Sequence, residues 1–251
     1  MIEVPAVVRN TARAAGAGDW LERLPALVSS LEAGWSITVG HPYEGGSEAF
    51  AADATRADGT PAVLKVLIPG TENNAFNEAT VLRLVGGDGC PVLYRYDPDL
   101  GALLMERLGR PMFELGLPLA RRLEILCATA ARIWRRRGQA HRDERSVLVH
   151  GDVRQLNALQ DDGGFKLIDP VGLLAEAEYD LGVLMRGDPV ELLGGDPSTG
   201  PAGWPPARGS ISSPYGSGAW SSGCRPDCSV PASTCSPSAA TRWRRPRPSP
   251  A

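Results

Sequence analysis

His150-Gly151-Asp152-Val153-Arg154-Gln155-Leu156-Asn157, with Ile168-Asp169-Pro170 returning twelve residues after Asn157, carries the spacing H-x-D-x-x-x-x-N…D. Two carboxylates and an amide in that order form a phosphoryl-transfer signature. Asp152 is placed to orient an acceptor hydroxyl and take its proton. The amide oxygen of Asn157 and the carboxylate of Asp169 suit Mg2+ ions that bridge the phosphates of ATP. With three histidines, 15 aspartates and five asparagines in 251 residues, the first triplet arises by chance in roughly one shuffled chain in 300.

Upstream residues supply companions. Lys65 lies in Val63-Leu64-Lys65-Val66, an apolar strand ahead of the motif, where a lysine would meet the α- and β-phosphates. Glu78, on the helix that follows, is the residue to hold it extended. Gly45-Gly46-Ser47 falls between the first two strands, where a flexible loop would cover phosphates. Met105-Glu106-Arg107-Leu108 ends a strand whose backbone groups, at Glu106 and Leu108, are placed to bind adenine. The order of loop, Lys, Glu, hinge, His-Gly-Asp, Asn and Asp is that of a kinase-like fold. His150 reads as a shaper of the catalytic loop, Asp180 as its buttress, and Lys166 as a solvent-facing residue. Arg154 stays open between a phosphate contact and a solvated position.

Around these motifs the chain reads as mixed α and β. Asp19 is expected to cap a helix with Trp20, Leu24, Leu27, Val28 and Leu31 on one face. From Trp35 to Ile68 the turn signals predict an antiparallel meander. A helix opens at Asn73 or Asn74 and runs through Val85. Strands are expected over Pro91–Tyr96 and Ala102–Glu106, and a helix from Pro118 to Trp134. Val147–Val149 and Phe165–Ile168 read as short strands around a polar turn, and Leu181–Arg186 as a helix. Cys90 and Cys127 read as core residues.

Residues 201–251 break this pattern. They hold ten of the 22 prolines, eleven serines and only two branched aliphatic residues, Ile211 and Val230. Six arginines stand there against Asp227, leaving a charge of −8 on residues 1–200 beneath a total of −3. Such a segment supplies no repeating apolar face. Cys224, Cys228 and Cys235 have no histidine nearby and read as neither a zinc cluster nor a disulfide set. Residues 207–224, written in GC-rich codons and reread from the third codon base, yield a helix-like apolar spacing. The expectation is an unfolded or frameshifted tail. Only Lys65 and Lys166 among 26 basic residues are lysine, which suggests a GC-rich genome. No apolar run of membrane length and no secretory leader is visible, so a cytoplasmic protein is expected.

Ala57–Val66 (ADGTPAVLKV), Gly101–Leu108 (GALLMERL), Leu148–Leu159 (LVHGDVRQLNAL) and Phe165–Arg186 (FKLIDPVGLLAEAEYDLGVLMR) resemble the aminoglycoside/hydroxyurea antibiotic resistance kinases, of streptomycin 6-phosphotransferase type. The resemblance covers most of residues 1–195. It implies an α+β, two-lobed protein-kinase-like (aminoglycoside phosphotransferase) fold. Residues 1–107 would be the N-terminal lobe, 108–200 a shortened catalytic lobe, and 201–251 a disordered tail. It implies ATP and Mg2+, with Asp152 as catalytic base, Asn157 and Asp169 as metal ligands, and Lys65 as the phosphate lysine. The expected partner is a small-molecule antibiotic, with no nucleic acid and no membrane, and the chain is expected to be a monomer.

Four features depart from the family pattern. Arg154 stands where histidine is common, and Val171 where an acidic residue is common. Only 44 positions separate Glu106 from His150, where the family carries a longer helical insert. Arg135–Arg145 looks like the join. The family's C-terminal helices are replaced by the tail. The alternative expectation is therefore a truncated, catalytically impaired chain that at most binds nucleotide. A protein kinase is disfavoured because Asp169-Pro170-Val171-Gly172 replaces Asp-Phe-Gly.

Overall fold

Alternation along the strands decides how the first half is layered. In the computed structural model, which describes residues 2–71, 75–135 and 146–187 and the strand pair-residues Thr241–Arg242, five antiparallel strands form one sheet. They are β1 (Ile37–Pro42), β2 (Ala49–Arg56), β3 (Pro61–Leu67), β4 (Leu93–Asp97) and β5 (Ala102–Glu106), in the order β1-β2-β3-β5-β4. Two helices precede them, α1 (Ala6–Ala14) and α2 (Gly18–Trp35), and α3 (Ala75–Val85) joins β3 to β4. Side chains on successive strand residues point to opposite faces. Phe50, Ala52, Leu64, Val66 and Leu104 therefore pack with Trp20, Leu24, Val28 and Leu31 of α2. Leu67, Leu103 and Met105 face the other way and join α3. Lys65 shares that second face, because Leu64 and Val66 take the first. Each fully buried Leu or Phe here contributes about 1.5–3 kcal/mol.

The expected Asp19 cap is corrected. The residue before the first turn is Ala17, which makes no side-chain cap bond, and Asp19 sits inside the first turn. There its negative charge favours the helix N-terminus directly. Ser36, at φ 54°, closes α2 in the left-handed region. The helix α1 has no counterpart in the sequence reading; only Val8 and Ala12 of it are buried, too few to make a visible stripe.

The second half contains a 3-10 turn (Met112–Leu115), α4 (Leu119–Trp134), β6 (Val147–Val149), β7 (Ala158–Asp161), β8 (Gly164–Leu167), β9 (Leu173–Ala175) and α5 (Glu178–Gly187). β7 and β8 form a hairpin, and β9 pairs with β6. A tenth strand, β10 (Thr241–Arg242), pairs with the other edge of β9. The hairpin partner β7 and the strand β9 were not anticipated, since each is three or four residues long. The segment after β5 is seated on β7: Gly109 N–H donates to Gln160 O at 2.8 Å, and Gln160 N–H to Arg110 O at 3.0 Å. One apolar core runs through both halves, from Leu67, Val81 and Met105 to Leu126, Ile133, Leu148 and Leu167. The expected helix start at Asn73 or Asn74, the join after Arg135, and the tail apart from β10 lie outside the described residues.

Candidate active site

Lys65 is only 6% exposed, and burial of an ammonium demands partners. Its Nζ donates to both oxygens of Glu78, at 2.8 and 2.7 Å, and to Asp169 Oδ1 at 2.8 Å. β3, α3 and the segment after β8 thus meet at one charged atom. Burial by itself would lower the Lys65 pKa; the charges of Asp169 and Glu78 outweigh it and raise it. Glu78, with no exposure, is raised by burial against the pull of Lys65 and with Asp169 adding to the rise. Burial also works to raise Asp169, but Lys65 prevails and holds it below the ordinary carboxylate range. The Asp169 side chain keeps 40% of its exposure, so this carboxylate opens outward while Glu78 is sealed.

Asp169 has φ 61°, a left-handed conformation that costs a non-glycine residue about 1–3 kcal/mol. Its neighbours impose it. Ile168 N–H donates to Asn157 O at 2.8 Å and Val171 N–H to His150 O at 2.8 Å, pinning the chain on both sides. Gly172, at φ +74°, lies so near α3 that an added Cβ would stand 3.0 Å from Asn77 Cβ and 3.2 Å from its carbonyl oxygen.

The loop bearing Asp152 is held from beneath. Asp180 of α5, 1% exposed, accepts the backbone N–H of His150 at 2.9 Å and of Gly151 at 2.7 Å. It also accepts Trp134 Nε1–H of α4 at 2.8 Å, a link that the sequence reading did not anticipate. His150 is fully buried, with Nε2 donating to Ile168 O at 2.9 Å and Nδ1 accepting Asp152 N–H at 3.2 Å. Burial keeps its pKa below the ordinary value, against the carboxylates around it. Both residues thus do the bracing expected of them. Gly151 needs its glycine: at φ +89° an added Cβ would lie 2.9 Å from Val171 Cβ.

Asn157 Nδ2 donates to Asp152 O at 2.9 Å and to Asp152 Oδ2 at 2.8 Å. Arg154 also pairs with Asp152 Oδ2. Arg154, with its side chain 46% exposed, occupies the solvated position that was one of the two left open for it, and it pairs with Asp152 from there. With its nitrogen turned to Asp152, Asn157 keeps its oxygen for another partner, and the Asn157–Ile168 bond brings it beside Asp169. Among the described residues no group of three His, Cys, Asp or Glu side chains gathers as a metal cluster. One amide oxygen and one outward carboxylate fit Mg2+, which takes few protein oxygens and draws the rest from phosphate and water.

Gly45, Gly46 and Ser47 fall between β1 and β2. Because Ala51 pairs with Lys65 and Ala49 with Leu67, this turn lies just beyond the lysine. No heavy atom comes within 4 Å of a Cβ built on Gly45 or Gly46. Glu106 ends β5, but its N–H already donates to Val92 O at 2.9 Å. Leu108 lies in the segment that follows. The expectation for Lys166 is overturned. It is 6% exposed, and its Nζ donates to Glu106 Oε1 and Oε2 at 2.9 and 2.7 Å. Residue alternation in β8 was the available signal: Lys166 and Phe165 face opposite sides of a strand that both packs and pairs. A groove of about 730 Å³ between α4 and the β7–β8 hairpin is lined by residues such as Arg121, Ile125 and Phe165 and by none of the site residues.

Residues 40–145 match the aminoglycoside/hydroxyurea antibiotic resistance kinase family. The matched stretch stops before His150, so it supports the kinase reading from different residues than the H-x-D string. Among the proteins this chain resembles, a hydroxyurea phosphotransferase of Kitasatospora aureofaciens is 37% identical over 111 residues, 43% of this chain and 32% of the relative. A streptomycin 6-kinase of Streptomyces glaucescens is 35% identical over 111 residues, 43% of this chain and 36% of the relative. The aligned part thus spans about a third of the length of these curated relatives.

Proposed function

We propose that the chain is an ATP-dependent phosphotransferase of two-lobed, kinase-like build that phosphorylates a hydroxyl of a small-molecule antibiotic, of the streptomycin or hydroxyurea kind. The observation that carries this reading is Lys65 gripped by Glu78 and by Asp169, 104 residues further along the chain. A buried cation so placed is preorganised to meet phosphate oxygens without reorganising when they arrive.

In the proposed reaction the acceptor oxygen bonds to the γ-phosphorus, the bond from that phosphorus to the ADP oxygen breaks, and the hydroxyl proton passes to Asp152. Asp169 and Asn157 would hold Mg2+, which when bound would supply charge neutralisation to the phosphates. Asn157 also fixes the Asp152 carboxylate, and Asp180 and His150 fix the loop that carries it. Gly45, Gly46 and Ser47 are assigned to cover phosphates, and Glu106 and Leu108 to border adenine. Residues 1–107 and 108–200 would act as the two lobes of a cytoplasmic monomer that engages neither nucleic acid nor membrane. No described helix is long and apolar enough to cross a membrane.

A second reading, a catalytically impaired chain that binds nucleotide only, is favoured by the 44-position spacing between Glu106 and His150. One assay separates the two: ATP- and Mg2+-dependent transfer to streptomycin and to hydroxyurea, with Asp152→Ala as control. Product that disappears in the variant supports the enzyme; nucleotide binding without product supports the impaired chain. For residues 201–251 we retain the frameshift proposal. An uninterrupted reading frame encoding the same tail in close relatives would sink it.

A further inference from the structure

The Asp152 carboxylate does not stand open. Its Oδ2 accepts Asn157 Nδ2 at 2.8 Å and is paired with the Arg154 guanidinium. Arg154 is held there from a second side. Its Cγ lies 3.9 Å from a Cβ built on Gly187, so its stem runs over the C-terminal end of α5. A cation is favoured at that end of a helix, and Arg186 places a second basic residue beside Gly187.

The remaining carboxylates around the loop are also engaged. Glu78 and Asp169 share Lys65, and Asp180 accepts two backbone N–H groups and Trp134. A polycation seeking to anchor on the base would have to displace Arg154, whose charge already compensates Asp152. A hydroxyl needs only the lone pairs of Oδ1, the Asp152 oxygen that is not the one paired with Arg154 and Asn157. We propose that Arg154 is a specificity-determining residue that selects acceptors carrying no positive charge near the reacting hydroxyl and rejects polycationic aminoglycosides. The proposal rests on the phosphotransfer reading and narrows its acceptor to the uncharged class.

The test compares wild type, Arg154→Gln, which removes the charge, and Arg154→Lys, which keeps it. Hydroxyurea serves as the neutral acceptor and streptomycin as the cationic one, with ADP release as readout. Wild type should prefer hydroxyurea in kcat/KM. Arg154→Gln should shift the ratio toward streptomycin by at least about tenfold, the scale of a single charge contact, and Arg154→Lys should keep the wild-type ratio. A ratio unmoved in Arg154→Gln, or a wild type that prefers streptomycin, overturns the proposal. If nucleotide binds but no variant transfers phosphate, the phosphotransfer reading fails on its own. Equilibrium binding of the same two compounds to the ATP-loaded chains then decides the role of Arg154: streptomycin tightening about tenfold in Arg154→Gln supports it, and equal binding overturns it.

Discussion

Lys65 and Lys166 are the only two lysines in the chain, and they make an instructive pair. Each is 6% exposed, and each donates to both oxygens of one glutamate. The difference lies in the other partners. Glu78 is sealed, and Lys65 reaches on to Asp169, whose side chain is 40% exposed. Glu106 keeps 22% exposure, and the further partner of Lys166 is Asp161, at 3.4 Å and on the same hairpin. The first lysine joins three separate segments and presents a carboxylate outward. The second ties the end of β5 to β8, and its partners Glu106 and Asp161 are 22% and 28% exposed. One chemical motif thus joins three separate segments in one place and braces a strand end in the other, and the more exposed carboxylate stands beside the first.

The comparison breaks most sharply at Lys65. Lys65→Met should lower transfer by on the order of 10²–10³, as loss of a preorganised charge does. It should also destabilise the fold by about 3–5 kcal/mol, because Glu78 is left buried and unpaired. Adding Glu78→Gln should restore part of the stability in urea melts and none of the activity. A double variant no more stable than the single one would show that Glu78 was not the source of the loss.

Next in size is Gly172→Ala. The new Cβ meets the carbonyl of Asn77 at positive φ, and such strain costs about 1–3 kcal/mol. Displacing α3 moves Glu78 but leaves Glu106 alone, so amide exchange should accelerate in α3 and not in β5. Exchange that rises equally in both would place the strain elsewhere. Lys166→Met should cost about 1–3 kcal/mol, since water can reach the Glu106 left behind, and should raise the nucleotide KM far less than Lys65→Met does. An equal rise would make Lys166 part of the site.

The smallest effect concerns pH. Burial holds His150 below its ordinary value of 6.5. The unfolded chain therefore takes up a proton that the folded chain refuses as pH falls below that value. Stability from this source is present above pH 6.5 and declines beneath it. The melting temperature should fall between pH 7 and pH 5, and His150→Gln should flatten that decline. A slope unchanged in the variant would assign it to other groups.

Much of the site was legible because its chemistry is local in sequence or tied to a period. Asp152 and Asn157 sit five residues apart on one loop, and Lys65 sits on the second face of a strand whose first face is plainly apolar. Asp180 was legible as a buttress from its place near a helix start. Alternation in β8 could have shown that Lys166 faces inward, but its partner is 60 residues away and could not be read from the strand. The strands β7 and β9 escaped for a related reason: three or four residues carry too little alternation to stand out from a turn.

By itself the sequence determined which groups were available: an aspartate, an amide, a second carboxylate and a strand-borne lysine, in the order that carries the resemblance to kinases. Local spacing and periodicity are properties of the chain and survive without coordinates. Tertiary structure alone decided the pairings. It made Lys65 a bridge, Lys166 a strut and Arg154 the counter-ion of Asp152. The physical reason is that an ion pair forms between whatever charges folding brings within about 4 Å, and that distance is set by packing across the whole core.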